Sequence, residues 1–178
     1  MAIAKRKKKF FEAEIQQLNK NIYLMAYEPE ELDGRIVKHD LTRFLKGKSV
    51  MFQGRVKADK DKAVVIPEKL QIMPYFLRRV IRKGVNCVED SFIAECKDAR
   101  LRIKPFLITR RKVSRSIRKA LRNKAREELT SYAKDKNPEE IFDDFLNGKL
   151  QKTLGLKLKK VYPLSFCDIR VLEVKKGK

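Results

Sequence analysis

The stretch RRKVSRSIRKALRNKAR, residues 110–126, combines dense positive charge with helical periodicity and contains no acidic residue. At about 100° per residue, five of its cations fall on one side of a helix. We call these residues the cationic ridge: Arg115, Arg118, Lys119, Arg122 and Arg126. An apolar stripe runs beside it, made of Ile117, Leu121, Ala125, Leu129 and Tyr132. The pattern predicts an amphipathic helix over residues 113–133. Like charges three or four positions apart destabilise a helix by about a few tenths of a kcal/mol per pair, so the ridge favours an anionic partner.

The composition of the whole chain points to the same kind of partner. The 178 residues carry a formal net charge of +21, and 43% of them are hydrophobic. That content supplies a core, while the charge excess favours a partner of high negative charge, nucleic acid in particular. No segment has the length or apolar density to span a membrane, and no signal peptide is expected.

The cysteine pattern predicts no disulfide framework and no zinc site. The number of cysteines is odd, and no Cys-x-x-Cys spacing occurs among Cys87, Cys96 and Cys167. All three lie in apolar runs, where we expect them to act as small buried hydrophobes in a reducing, intracellular compartment.

Around the central stretch, strands are predicted first and helices later. Strand-like runs occupy residues 22–27, 35–41, 50–57, 63–66, 86–96, 101–109 and 166–174, and residues 10–15 are read as a strand or a short helix. Residues 73–83 are predicted as a helix, a further helix begins after Asn137, and residues 149–160 form another basic amphipathic segment. Gly54 predicts a bulge or a close backbone approach, and Pro105 predicts an edge strand or a bulge.

This order of elements predicts an α+β fold. We expect an antiparallel sheet or partly closed β-barrel, with a C-terminal pair of helices and a basic N-terminal arm. Residues 1–9 form the arm, disordered without RNA, and residues 10–178 form a single α+β domain that binds RNA.

Three further groups of cations are candidates for the same interface. The arm carries Lys5, Arg6, Lys7, Lys8 and Lys9. Such a block is typical of an arm that orders on nucleic acid, and the alternative is a solvated tail or an address tag. The predicted helix at residues 73–83 ends in Arg78, Arg79, Arg82 and Lys83. Two interpretations are open for these cations: they bind phosphates, or part of them complements the helix dipole. Arg110, Arg111 and Lys112 lead directly into the cationic ridge.

No catalytic, metal-binding or cofactor-binding residue is predicted. The chain has no phosphate-binding glycine loop, nucleophile elbow or zinc spacing. Its single histidine, His39, lies in a strand-like run and is read as a polar strand residue. The carboxylates of Glu139, Glu140, Asp143 and Asp144 are explained by an acidic first helical turn better than by a metal site.

The order of several short motifs resembles a small-subunit ribosomal protein family of archaea and eukaryotes, called S-one-e or S-three-A-e. The motifs are Leu32-Asp33-Gly34-Arg35, Asp40-Leu41-Thr42, Asp98 with Leu101-Arg102-Ile103-Lys104-Pro105, residues 114–126, Gly148-Lys149-Leu150, Tyr162-Pro163-Leu164 and Ile169-Arg170. The similarity runs from about Phe10 to Val174. The chain departs from the family where Phe10 and Phe11 replace a usual tryptophan, and where Ala99 replaces the glycine of a turn.

The resemblance implies a non-enzymatic structural protein of the cytoplasmic ribosome, without a cofactor. It implies binding to small-subunit rRNA through Lys/Arg–phosphate contacts, on the platform near the messenger exit. Neighbouring small-subunit proteins are the expected partners, a messenger contact is left open, and neither a membrane nor a second copy of the chain is expected. The alternative is a chromatin protein or another non-ribosomal nucleic-acid-binding protein.

Overall fold

The structure, a computed structural model, describes residues 7–45, 47–58 and 63–175. Lys5 and Arg6 of the predicted arm, and residues 59–62 between two of the predicted strands, lie outside these ranges. The strands are β1 (Lys9–Ile15), β2 (Lys20–Ala26), β3 (Ile36–Asp40), β4 (Val50–Ala58), β5 (Ala63–Ile72), β6 (Cys87–Glu89), β7 (Phe92–Glu95), β8 (Arg100–Thr109) and β9 (Leu164–Lys175). The helices are α1 (Pro74–Val80), α2 (Arg115–Lys134), α3 (Pro138–Leu146) and α4 (Lys149–Lys159).

The chain divides into two units, of which the first holds the residues up to His39 together with Phe52–Glu68. Its β1 and β2 form an antiparallel hairpin, while β1 runs parallel to β5 where Ala13 pairs with Ala63. Strand β4 pairs with β3 and β5. The close approach predicted at Gly54 is confirmed, because a Cβ there would lie 2.4 Å from Val65 Cγ1 and 2.9 Å from the Ile66 carbonyl oxygen.

The second unit holds Asp40–Met51 and the chain from Lys69 onward. Strand β8 pairs antiparallel with β9 along its whole length, and with β6 and β7 on its other side. Helix α2 packs on β6, β7 and α4, and α4 packs on β9. The core of this unit therefore lies between the sheet and the helices, where Leu121, Leu154 and Leu158 are buried.

Pro105 sits inside the sheet and not at its edge. A β-bulge separates Lys104 from Pro105, so that Lys104 pairs with Val171 and Pro105 with Ile169, and Arg170 is the extra residue. The bulge accommodates a proline that has no N–H to donate to the ladder. The edge alternative was wrong, and the bulge alternative is confirmed.

Two elements are shorter in the structure than their apolar patterns predict. The run 86–96 is divided into β6 and β7, because Asp90 and Ser91 form a polar break in which the Ser91 N–H donates to the Asp90 carboxylate. Helix α1 ends at Val80, so Arg82 and Lys83 lie in the turn that follows it and not in its last turn.

The predicted α+β class is confirmed. Four helices accompany a mixed sheet that, among the described residues, is not closed. The parallel pairing of β1 with β5 is possible because β2, β3 and β4 intervene between them, whereas a tight hairpin joins only antiparallel strands. At the C-terminus, α2 and α3 are followed by α4, which forms on the segment predicted only as basic and amphipathic.

Candidate nucleic-acid interface

Helix α2 carries the cationic ridge and begins at a side-chain cap. The Ile117 N–H donates to the Ser114 hydroxyl at 3.5 Å, which satisfies one of the free amides of the first turn. Leu121, Ala125, Leu129 and Ala133 are the buried positions of α2. Arg115, Lys119 and Arg122 are exposed on its outer face. The structure therefore keeps these three ridge residues together on one accessible surface.

Arg118 differs from its ridge neighbours because it is half-buried. Its Nε is enclosed and has no hydrogen-bond partner among the described residues. On a helical wheel, Arg118 falls between the directions of Ala125 and Leu129, both of which are buried. Its side chain accordingly runs along the edge of the packed face.

Arg126 is held by contacts within the protein. Its Nη2 lies 3.1 Å from Asp90 Oδ2, and its guanidinium carbon is 5.5 Å from the Phe92 ring centroid. Asp90 and Phe92 belong to the turn and strand against which α2 packs. Arg126 thus anchors α2 to this part of the sheet, and its charge is already partly balanced by Asp90.

The loop that joins β8 to α2 is fixed by a partly buried hydrogen-bond network. The Thr109 hydroxyl accepts from the Asn86 N–H at 3.0 Å and lies 2.7 Å from the Arg111 carbonyl oxygen. The Asn86 side-chain oxygen accepts from the Val113 N–H at 2.8 Å. Thr109 is fully buried. These contacts set the path of the backbone, so that the exposed side chains of Arg110, Arg111 and Lys112 project from a defined loop.

Arg110 brings together cations that are distant in sequence. A surface cleft of about 610 Å³ is lined by Arg79, Arg82, Lys83 and Arg110. A second cleft, of about 550 Å³, is lined by Arg110 with Lys152 and Lys159 of α4. In the sequence these cations belong to separate groups. Leu150, Leu154 and Leu158 are the buried positions of α4, so the lysines of this helix face outward.

The remaining predicted cations have different surroundings. Arg78 is exposed, and the Arg79 guanidinium carbon lies 5.9 Å from the Tyr75 ring centroid. Lys7, Lys8 and Lys9 are exposed, with Lys8 Nζ 5.4 Å from the Tyr27 ring centroid and Lys9 beginning β1.

Most candidate cations have no acidic partner in the part of the chain that the structure describes. Of the predicted site cations that the structure describes, only Arg126 lies within 4.0 Å of a described carboxylate. The carboxylates instead pair with other cations, including Arg55 with Glu68 at 2.6 Å, Lys157 with Glu128 at 2.5 Å and Arg170 with Glu89 at 2.9 Å. The arrangement leaves the candidate interface with uncompensated positive charge.

The structure assembles no evident reactive centre in the part that it describes. No group of three or more His, Cys, Asp or Glu side chains there is placed to hold a metal ion. The thiols of Cys87, Cys96 and Cys167 are free, and burial raises their pKa values to about 12, 11 and 12. They stay protonated at neutral pH. No helix of residues 7–45, 47–58 and 63–175 is long and apolar enough to cross a membrane.

Comparison with known proteins gives consistent matches. Residues 5–177 match the Ribosomal S3Ae family. The small ribosomal subunit protein eS1 of Nanoarchaeum equitans is 29% identical over 150 residues, which cover 82% of this chain and 76% of that protein. The protein of the same name from Methanothermobacter thermautotrophicus is 34% identical over 107 residues, or 58% of this chain and 55% of that one. The Halorubrum lacusprofundi protein is 27% identical over 154 residues, or 83% and 71%.

These matches define the class of the protein as ribosomal. The chain belongs to the Ribosomal S3Ae family. The family resemblance in the sequence motifs is thereby confirmed, and with it a structural, non-enzymatic role in the cytoplasmic ribosome.

Proposed function

We propose that the protein is a structural constituent of the small ribosomal subunit that binds rRNA through Lys/Arg–phosphate contacts. The names of its relatives support the assignment to the small subunit. The observation that carries the rRNA contact is the set of exposed ridge cations without a described acidic partner, Arg115, Lys119 and Arg122. Phosphates lower the free energy of such a surface by removing the repulsion between its charges.

The mode of binding that we propose relies on shape and backbone. A-form RNA hides its base edges in a deep, narrow major groove, so proteins recognise it mostly by its phosphates and its form. The defined loop at residues 110–113 and the rigid helix α2 hold cations in fixed positions, which suits placement on a folded RNA. The proposed location is the subunit platform near the messenger exit, beside other small-subunit proteins. The proposal includes no specific contact with messenger RNA. The chain acts as a single copy.

The proposal is tested by removing the exposed ridge charges together. We expect the triple variant Arg115→Gln, Lys119→Gln, Arg122→Gln to fold normally, because none of the three side chains has a described ion-pair partner. Its affinity for small-subunit rRNA should fall about tenfold or more, and its log–log salt slope should flatten by about two to three. Filter binding across a salt series measures both quantities.

The control removes the same charge elsewhere. Lys38→Gln, Lys57→Gln, Lys97→Gln changes three other exposed lysines and should change affinity and slope much less. Duplex DNA as competitor tests whether binding is specific for structured rRNA. Equal losses in the two triple variants would mean that net charge, and not the α2 surface, determines binding.

A further inference from the structure

The cleft lined by Arg110, Lys152 and Lys159 has a floor unlike the rest of the basic surface. Leu164, Phe166 and Cys167 of β9 line it together with Gly155 of α4, and we call the three β9 residues its floor and the three cations its rim. We call it the α4 cleft. We propose that the α4 cleft holds one unpaired nucleotide of the bound RNA, with its phosphate at the cationic rim and its base against the apolar floor. This inference rests on the proposed rRNA binding and adds a specific subsite to it.

The rim fits a phosphate. Arg110, Lys152 and Lys159 are exposed, and none of them has an ion-pair partner among the described residues. Among the residues that the structure describes, no acidic one lines the α4 cleft. Cations without a nearby carboxylate gain most from a phosphate, and an arginine binds one through two parallel hydrogen bonds.

The floor is apolar, rigid and uncharged. The Phe166 ring lies 6.3 Å from the Phe76 ring and 6.2 Å, edge-on, from the Phe106 ring, so packing fixes its position. Cys167 also lines the floor, and burial raises the pKa of its thiol to about 12, which keeps it neutral. Unpaired bases stack on aromatic and apolar side chains, and this contact is largely independent of base identity.

Gly155 is a residue that the fold itself does not require. Within a helix, glycine is less favourable than alanine. Gly155 adopts no left-handed backbone conformation, and an added Cβ would meet only the Cys167 Cβ at an ordinary 3.9 Å. Neither backbone geometry nor packing explains the glycine. Its missing side chain keeps the wall of the α4 cleft open.

The neighbouring cleft favours RNA over an acidic peptide as the occupant. Arg110 belongs to both clefts, and the second cleft adds Arg79, Arg82 and Lys83, again with no acidic residue in the described part of its lining. A strand of RNA carries one phosphate per nucleotide and so meets cations in both clefts. A peptide would need regularly spaced acidic residues on either side of an apolar side chain.

The test fills the cleft without changing its charge. We expect Gly155→Leu to weaken binding of a fluorescently labelled uridine hexamer at least tenfold in anisotropy titrations at low salt. Thr153→Leu, at an exposed position of the same helix, should change it less than twofold. Lys152→Gln with Lys159→Gln should weaken hexamer binding and flatten its salt slope by about one to one and a half. This double variant leaves the glycine and the core unchanged, so it tests the rim even if Gly155→Leu folds poorly.

The outcomes separate this inference from the proposed function. If the wild-type protein binds small-subunit rRNA, but the Gly155→Leu and Thr153→Leu variants bind the hexamer equally well, the nucleotide subsite alone is overturned. Displacement of the labelled hexamer at lower concentrations of an acidic, leucine-containing peptide than of unlabelled uridine hexamer would identify a peptide site instead. Wild-type protein that fails to bind small-subunit rRNA at low salt would overturn the proposed function itself.

Discussion

Thr109 and Asn86 determine how the chain leaves the sheet and enters the basic loop. Thr109 ends the buried face of β8, and its hydroxyl is enclosed at the junction where Asn86 reaches the Val113 N–H. Neither residue carries a sequence signal for this role, because a threonine at the end of a strand and an asparagine before one are common in any sheet. Only the pairing of β6 with β8 brings them together.

We predict that Thr109→Val destabilises the protein by about 1–3 kcal/mol. The substitution keeps the shape of the side chain but leaves the partly buried Asn86 N–H without the hydroxyl that accepts its hydrogen bond. Urea denaturation followed by circular dichroism measures the change. Thr153→Val on exposed α4 is the control and should stay within about 0.5 kcal/mol of the wild type. Equal stability of the two variants would show that the network does not hold the loop.

Arg118 and Arg126 show where helical periodicity alone was insufficient. The buried positions of α2 follow one another at intervals of four, from Leu121 to Ala133. Each interval rotates the buried direction by about 40°, so the packed face turns around the helix toward the ridge. Arg118 therefore lies at the edge of this face, and Arg126 meets Asp90. A straight stripe drawn from sequence cannot show this rotation.

At the scale of the elements, α2 is tied to both helices that follow it. Tyr132 donates to Asp144 of α3 at 2.6 Å, and Lys136 donates to both Asp144 and the Tyr132 hydroxyl. On α4, Lys157 pairs with Glu128 of α2. Burial alone would raise the pKa of Asp144, but the hydrogen bonds from Lys136 and Tyr132 outweigh it and lower that pKa below its usual value. The carboxylate is thus bound as an anion.

We predict that the Asp144 contact stabilises the fold at neutral pH and is lost in acid. A pKa lowered by folding gives stability that is present above the unfolded value of about 3.9, and this stability disappears as the pH falls through the folded value. Asp144→Asn should therefore be less stable than the wild type at pH 6, and the difference should narrow toward pH 2. Urea midpoints at several pH values measure it. A difference that is independent of pH would exclude an ionic contribution.

The elements that sequence could predict are those with a strong period or a clear cap. The 3.6-residue pattern placed α2, and Pro138 with Glu139 and Glu140 placed the first turn of α3. The split between β6 and β7 and the parallel pairing of β1 with β5 could not be read in this way. Both depend on partners distant in sequence. Arg126 of α2 contacts Asp90 in the turn between β6 and β7, and β5 meets β1 only after the chain has passed through β2, β3 and β4.

At the scale of the whole molecule, the composition predicts the charge of the surface but not how its cations are grouped. A net charge of +21 on 178 residues indicates an anionic partner. The same charge count could not show that Arg110 connects two clefts, or that Lys152 and Lys159 join the predicted cations there. Those groupings arise from the packing of α4 on β9, which a one-dimensional charge pattern does not contain.

The salt dependence of rRNA binding tests the central claim, that phosphate contacts from uncompensated cations supply the affinity, most directly. If about six to ten phosphates are neutralised, the logarithm of the association constant should fall against the logarithm of salt concentration with a slope of about −5 to −9. Affinity for small-subunit rRNA would then drop about a thousandfold or more between 50 and 200 mM salt. A slope near zero across that range would contradict the account, because it would mean that Lys/Arg–phosphate contacts do not hold the protein on the RNA.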